Sequence, residues 1–271
     1  MPHDTLPQEL LDEIISYTSY LDVPSLALVN RNIQSISYDR LYRDIPTLCP
    51  RATILLLKTL SKRPPIASIV RIITILDLKK YGLMMWTASF FRLLSNALRN
   101  MHNLIDLRLH IAGQYAMYLM GCPFKLRRLR IACDWNQNLI EWFREQEEIR
   151  DLWLLSIRHD LQVEVSPTIL PLLNRTLGSV KALSCLVPKR PVGAVDISFP
   201  IFDGFNPEVM ALTCRILSHS TGPLIELFFT PDLNSIEVPH ILETLAVVPD
   251  ILPDLHSFGL FVAKGSVSAV S

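Results

Sequence analysis

Leu104-Ile105-Asp106-Leu107-Arg108-Leu109 and Leu126-Arg127-Arg128-Leu129-Arg130-Ile131 share one pattern, with apolar side chains at the first, fourth and sixth places of a six-residue segment. The pattern returns, with substitutions, at Val70-Arg71-Ile72-Ile73-Thr74-Ile75, Ile149-Arg150-Asp151-Leu152-Trp153-Leu154, Val180-Lys181-Ala182-Leu183-Ser184-Cys185, Leu224-Ile225-Glu226-Leu227-Phe228-Phe229 and Leu255-His256-Ser257-Phe258-Gly259-Leu260. The starts of the seven segments lie 34, 22, 23, 31, 44 and 31 residues apart, an irregular period of the kind stacked structural repeats produce. Successive residues of a strand point to opposite faces. The fourth and sixth positions therefore point inward and the third and fifth outward.

Helical patterns fill the intervals, at residues 51–62, 90–101, 139–147, 168–177, 208–218 and 237–247. Pro64-Pro65 stops the first of these and Pro207 precedes the fifth. Strand and helix in alternation predict an α/β chain, an irregular solenoid with parallel strands on its concave face and helices outside. An ordinary α/β domain has the same alternation, although no glycine-rich phosphate loop follows any strand. The last strand leads into Ala263-Lys264-Gly265-Ser266-Val267-Ser268-Ala269-Val270-Ser271. No closing helix follows it, so the solenoid is expected to lack a terminal cap.

On the concave face the outward ladder reads Ile72/Thr74, Asp106/Arg108, Arg128/Arg130, Asp151/Trp153, Ala182/Ser184, Glu226/Phe228 and Ser257/Gly259. Arg108, Arg128 and Arg130 fall within a few strands of one another, where arginines can converge on a carboxylate or phosphate. Trp153 and Phe228 supply aromatic anchors of the kind interfaces favour. The expected ligand is an acidic or phosphorylated target polypeptide. Solvated arginines with a loop-covered Trp153 are the plainer alternative.

Lys and Arg together number 26, and Asp and Glu together number 26, so the chain is neutral overall. The charge is segregated nonetheless. Residues 1–45 hold seven acids and three bases, residues 46–133 fourteen bases and two acids, and residues 134–271 nine bases and seventeen acids. Among the bases of the middle segment are Arg51, Lys58, Lys62 and Arg63. Such a field biases which partners approach more than it sets the fold.

With 49% hydrophobic and 19% charged residues, the composition excludes a disordered chain and a generic polycation for nucleic acid. No run approaches the ~20 apolar residues of a membrane helix, so neither a membrane nor a nucleic-acid partner is expected. The acidic opening lacks the features of a secretory signal. The expected location is the cytoplasm or nucleus. Cys49, Cys122, Cys133, Cys185 and Cys214 are odd in number and never spaced CxxC, and are expected to be reduced and buried.

The first forty-five residues read as three short helices. Thr5 and Gln8 form a capping pair around Pro7, and Asp22 with Pro24 starts a second helix at residues 25–29. A third runs from residue 31 to 38 or 41. At 100° per residue, Pro7/Leu10/Ile14/Tyr17/Leu21 and Leu11/Ile15 form two adjacent stripes, more apolar surface than one internal contact can cover. Three short helices bury little of their own. The surplus stripe should dock on another surface.

Leu6-Pro7-x-Glu9-Leu10-Leu11-x-x-Ile14-Ile15-Ser16-Tyr17, Leu26-Ala27-Leu28-Val29-Asn30-Arg31 and Leu41-Tyr42-Arg43-Asp44-Ile45 together resemble the F-box motif. The resemblance implies a trihelical domain over residues 1–45 that docks on a Skp-type adaptor and through it a cullin, with Leu6, Pro7, Leu10, Ile14, Leu21 and Val29 facing or supporting the adaptor. Thr18 and Ile33 depart from it, standing where the family usually has leucine and an aromatic residue. Residues 46–271 resemble the irregular leucine-rich-repeat domains that follow F-boxes in fungal proteins.

No GxSxG, HExxH, GxxxxGK[ST] or GxGxxG motif occurs. His102 and His110 flank one strand; His219, His240 and His256 are scattered; Glu145, Glu147 and Glu148 form an acidic run late in a helix. No catalytic residue, cofactor or metal is expected. The combined expectation is a substrate adaptor of an SCF-type ubiquitin ligase. A repeat scaffold without a ubiquitin role is the alternative, and an enzyme with an unrecognised site is the third.

Overall fold

The computed structural model describes residues 6–20, 22–76, 86–155, 165–198, 207–230 and 248–260. The chain divides into two compact units, Met1–Arg108 with Gly121–Phe124, and Leu109–Met120 with Lys125–Ser271. The fold is α/β, with the described strands pairing in parallel.

The first unit holds α1 (Gln8–Tyr17), α2 (Val23–Leu26), α3 (Arg31–Arg43), β1 (Asp44–Ile45), α4 (Pro50–Lys62), α5 (Pro64–Ala67), β2 (Ile72–Leu76) and α6 (Ala88–Leu98). Strand β3 (Asp106–Gly113) is divided between the units. Pro50 opens α4 where a missing N–H costs nothing, and the Asn30 side chain caps α3 by accepting from the Ile33 amide at 2.9 Å. Thr53, Leu57 and Leu60 bury one face of α4 while Leu94, Ala97 and Leu98 bury one face of α6, and the two helices lie against each other. Asn100 fastens their ends by donating from Nδ2 to the Leu60 and Ser61 carbonyls at 3.0 and 3.1 Å.

The second unit continues with a short 3-10 helix (Ala116–Tyr118), β4 (Arg128–Cys133), α7 (Gln137–Arg144), β5 (Asp151–Leu154), β6 (Arg175–Gly178), α8 (Val180–Leu186), β7 (Ala194–Ser198), α9 (Pro207–Leu217), β8 (Glu226–Thr230) and β9 (Ser257–Leu260). From β4 to β9 each strand pairs in parallel with the next in the chain. Their inward rows are apolar: Leu129, Ile131, Leu152, Leu154, Val195, Ile197, Leu227 and Phe229 are all essentially inaccessible.

One backbone contact recurs at every step of this stack. The carbonyl of Arg127 accepts from the amides of Arg150 and Asp151 (2.9 and 3.2 Å), and that of Arg150 from Asn174 and Arg175 (both 2.9 Å). The Asn174 carbonyl takes Gly193 and Ala194 (2.8 and 3.1 Å), that of Gly193 takes Ile225 and Glu226 (2.8 and 3.0 Å), and that of Ile225 takes His256 and Ser257 (both 3.0 Å). In the first unit, Arg71 accepts in the same way from Ile105 and Asp106.

Several expectations are corrected. Residues 168–177 are not a helix: Pro171 removes the donor a helix interior needs, Leu170 adopts a φ of 56°, and the stretch ends in strand β6. Val180-Lys181-Ala182-Leu183-Ser184-Cys185 is helix α8 rather than a strand, started by Ser179, whose hydroxyl accepts from the Ala182 amide. Ala182 and Ser184 therefore leave the outward ladder. The second helix spans Val23–Leu26, not residues 25–29. Cys49 is exposed and Cys185 only partly covered, whereas burial pushes the thiols of Cys133 and Cys214 up to about 11 and keeps them neutral. Helix α7 ends before the acidic run, which turns away from it as the Lys125 ammonium binds the Glu145 carbonyl at 2.6 Å. Thr5, Leu21, the stretch at 237–247 and the terminal nine residues lie outside the described residues.

Among the described residues of the second unit, Arg190 is the largest buried charged side chain, and its anchors are carbonyls. Nε donates to Ile169 (2.7 Å), Nη1 to Leu186 (2.8 Å) and Nη2 to Ser166 (2.7 Å), with longer contacts to Cys185 and Pro188. Burial lowers its pKa from the ordinary arginine value. The guanidinium replaces the amide partners that the irregular stretch before β6 cannot find in a helix. Arg190→Met should leave these carbonyls unsatisfied and lower stability by about 3 kcal/mol or more, read as a shift of the urea midpoint. An unchanged midpoint refutes the role assigned to this side chain.

Candidate functional site

Helix α1 divides its apolar residues between two faces. Ile15 is buried and Leu11 half-buried toward α3, while Leu10, Ile14 and Tyr17 are 46%, 53% and 82% exposed, with Leu6 at 53% just before the helix. Leu28 and Val29, in the turn between α2 and α3, are exposed as well, at 85% and 62%. Pro7 occupies the N-cap position, and its carbonyl accepts from the amides of Leu10 and Leu11. Of the six docking residues that the motif implies, Leu6, Pro7, Leu10, Ile14 and Val29 are exposed, and Leu21 lies outside the described residues.

The stripe is held in place by Arg40 on α3. Its guanidinium donates from Nη1 to the Ile15 carbonyl and from Nη2 to the Thr18 carbonyl at 2.9 Å. Ile15 lies in the last turn of α1 and Thr18 is its C-cap, so one cation satisfies both carbonyls and complements the negative end of the helix. Tyr20 adds a hydroxyl bond to the Leu41 carbonyl at 3.2 Å, and burial, with Asp44 nearby, raises its pKa. Thr18 closes α1 as its C-cap, with its hydroxyl on the Ile14 carbonyl at 3.1 Å. On the other side of α1 and α3, a cleft of about 790 Å³ carries Asp12, Asp39, Arg40 and Arg43, with Arg43 paired to Asp39 at 3.5 Å.

The second surface is the outward face of β4–β9. Strand register makes two rows across it, Arg128–Asp151–Arg175–Ala194–Glu226–Ser257 and Arg130–Trp153–Leu177–Asp196–Phe228–Gly259. Arg130 stacks on Trp153 with Cζ 3.8 Å from the ring centroid, and the Trp153 indole N–H has no hydrogen-bond partner among the described residues. Arg175 reaches over the small Ala194 to Glu226 at 3.7 Å. Phe228 covers Gly259, where an added Cβ would come within 2.7 Å of its ring.

The outward ladder needs one further correction. Asp106 is fully buried, and Arg108 spends its fork on that carboxylate at 3.1 and 2.7 Å. Arg108 belongs to the first unit and Arg128 and Arg130 to the second. Asp196, Leu177 and Arg175 join the face unexpectedly, and alternation in Ala194-Val195-Asp196-Ile197-Ser198 is the signal for the first of them. His110 lies within β3 instead of beside it. Among the described residues no three His, Cys, Asp or Glu side chains gather to hold a metal, and no helix is long and apolar enough to cross a membrane.

The F-box domain family matches residues 4–44. No curated protein matches the chain. Among solved structures, the hyperthermostable endo-1,4-beta-D-mannanase from Thermotoga petrophila RKU-1, with maltose and glycerol, is 10% identical with a TM-score of 0.27, over 83% of this chain and 90% of that one. A likeness at that level carries no argument.

The geometry separates surface from core within one helix. Leu10→Asp and Ile14→Asp should each change stability by no more than about 0.5 kcal/mol, because both side chains already meet solvent. Ile15→Ala, one residue along, should cost about 2–5 kcal/mol. Chemical denaturation of the three variants checks the division. A large loss from the aspartates would place the stripe inside the molecule.

Proposed function

We infer that this chain, with an F-box domain at residues 4–44, is the substrate-recognition subunit of an SCF-type ubiquitin ligase. The observation that carries the reading is the exposed stripe Leu6, Leu10, Ile14 and Tyr17 with Leu28 and Val29, apolar surface left uncovered on a domain of the family whose members bind Skp-type adaptors. Burying one leucine-sized side chain is worth about 1.5–3 kcal/mol, so several together supply a firm interface.

Residues 46–271 act as the target-binding part, an irregular leucine-rich-repeat solenoid. Support comes from the parallel strands taken in chain order and from the repeated two-amide contact at each strand start. The target lies across the half-exposed Arg130, Trp153 and Phe228. Charges on this face are partly matched within the chain, so aromatic and stem contacts contribute alongside any acidic or phosphorylated group on the target.

The mechanism is proximity. The adaptor and, through it, a cullin bring a ubiquitin-charged enzyme beside the captured target, raising the effective concentration of a target lysine with no bond chemistry by this chain. The work of such a subunit is done in the cytoplasm or nucleus.

A pull-down with purified Skp-type adaptor tests the reading. The unmutated chain should bind, and Leu10→Asp with Ile14→Asp should weaken binding at least about a hundredfold, the equivalent of two lost leucine contacts. Arg130→Ala with Trp153→Ala should lower target capture from proteasome-inhibited cells while adaptor binding stays unchanged. No adaptor binding by the unmutated chain removes the reading.

A further inference from the structure

Helices α4 and α6 present a cationic layer that neither the fold nor the adaptor contact uses. At 100° per residue, Arg51, Leu55, Lys58 and Lys62 fall within one narrow stripe of α4, and Arg92, Asn96 and Arg99 within one stripe on and just beyond α6. Arg63 follows directly on the end of α4. All of these side chains except Asn96 and Leu55 are cationic, and every one is exposed. Among the described residues none of the six cations has a carboxylate partner, and neither helix contains an aspartate or glutamate.

Helix stabilisation accounts for only part of the set. Lys62, Arg63 and Arg99 sit at helix ends where the dipole favours a cation, but Arg51 stands in the first turn of α4, where it does not. Six like charges on two packed helices repel one another, a cost that an anionic partner would relieve. The two helices hold the layer rigidly, since Asn100 ties their ends together.

We propose that this layer is a docking surface for an acidic polypeptide segment, one in which glutamates or aspartates alternate with apolar side chains. The apolar requirement comes from Leu55, which is 56% exposed in the middle of the cationic stripe. A phosphate backbone has nothing to place against it, whereas a peptide side chain does. From Arg51 to Lys62 the stripe runs about 16 Å, room for some five residues of extended peptide. The layer attracts such a segment over a Debye length and Leu55 fixes its register.

The probe is a fluorescein-labelled peptide of glutamate with leucine at each fourth position, titrated into the full chain and followed by anisotropy. Binding should appear at low salt and weaken about tenfold as salt rises several-fold. Lys58→Glu with Lys62→Glu should weaken it at least about tenfold with an unchanged circular dichroism spectrum, and Arg92→Gln with Arg99→Gln should give a smaller loss. Leu55→Ser should weaken this peptide about threefold while leaving polyglutamate unaffected. Absence of binding, or equal binding by the charge-reversed chain, overturns the proposal. Tighter binding to a DNA duplex or to phosphatidylserine vesicles, insensitive to Leu55→Ser, overturns it in favour of those surfaces. Salt-sensitive self-association in sedimentation that the reversal abolishes does so in favour of a second copy. Adaptor binding is unchanged in all these variants, so the outcome stands apart from that of the Skp pull-down.

Discussion

A single backbone carbonyl, accepting two amides from the start of the next strand, organises the second unit from β4 to β9. The acceptors belong to Arg127, Arg150, Asn174, Gly193 and Ile225, four residue types that share their position before a strand. A contact made by the main chain is indifferent to side-chain identity and to how much chain intervenes. It fixes only where the next strand begins. The leucine rows then follow, because strands set in register place their inward residues over one another. Each strand start depends only on its neighbour, so acceptors 19 residues apart, Asn174 to Gly193, and 32 apart, Gly193 to Ile225, serve one stack.

That constraint explains which parts of the fold are legible in the sequence. Apolar alternation finds most strands to within about two residues, since the inward rows are what the pattern records. It fails where the same composition serves a helix. Ala182, Leu183 and Leu186 bury one face of α8 with helical spacing, and their first two members also fit a strand pattern. Ser179 and Pro171, a cap and a breaker, hold the information that decides between them. Strand β7 escapes the pattern because Asp196 interrupts a short apolar run, although it does so at the outward position that alternation allows.

The exposed stripe of α1 is legible for a different reason. An excess of apolar residues on a helix too small to bury them can be counted without coordinates, and Leu10 and Ile14 are exposed as the count requires. The support behind the stripe cannot be counted. Arg40 lies some two dozen residues from the α1 carbonyls it satisfies, and nothing in the local sequence distinguishes it from a solvated arginine of an amphipathic helix. Arg190 repeats the lesson in the second unit, where a cation serves as a plug for carbonyls.

The cations of the chain therefore divide by how their charge is spent. Arg108 neutralises the buried Asp106, Arg175 meets Glu226, and Arg130 lies against the face of Trp153. The two arginines paired with carboxylates add little field at a distance, whereas Arg130 keeps its charge and offers a planar stacking surface. Among the described residues the cations of α4 and α6 have no carboxylate matches, so they contribute strongly to the long-range field of the first unit. Sequence reading places the attraction for acidic groups on the sheet because arginines alternate there with leucines. The decisive quantity is whether a carboxylate of the same chain already faces each arginine, and that is set by strand register and helix packing, which charge counting does not contain.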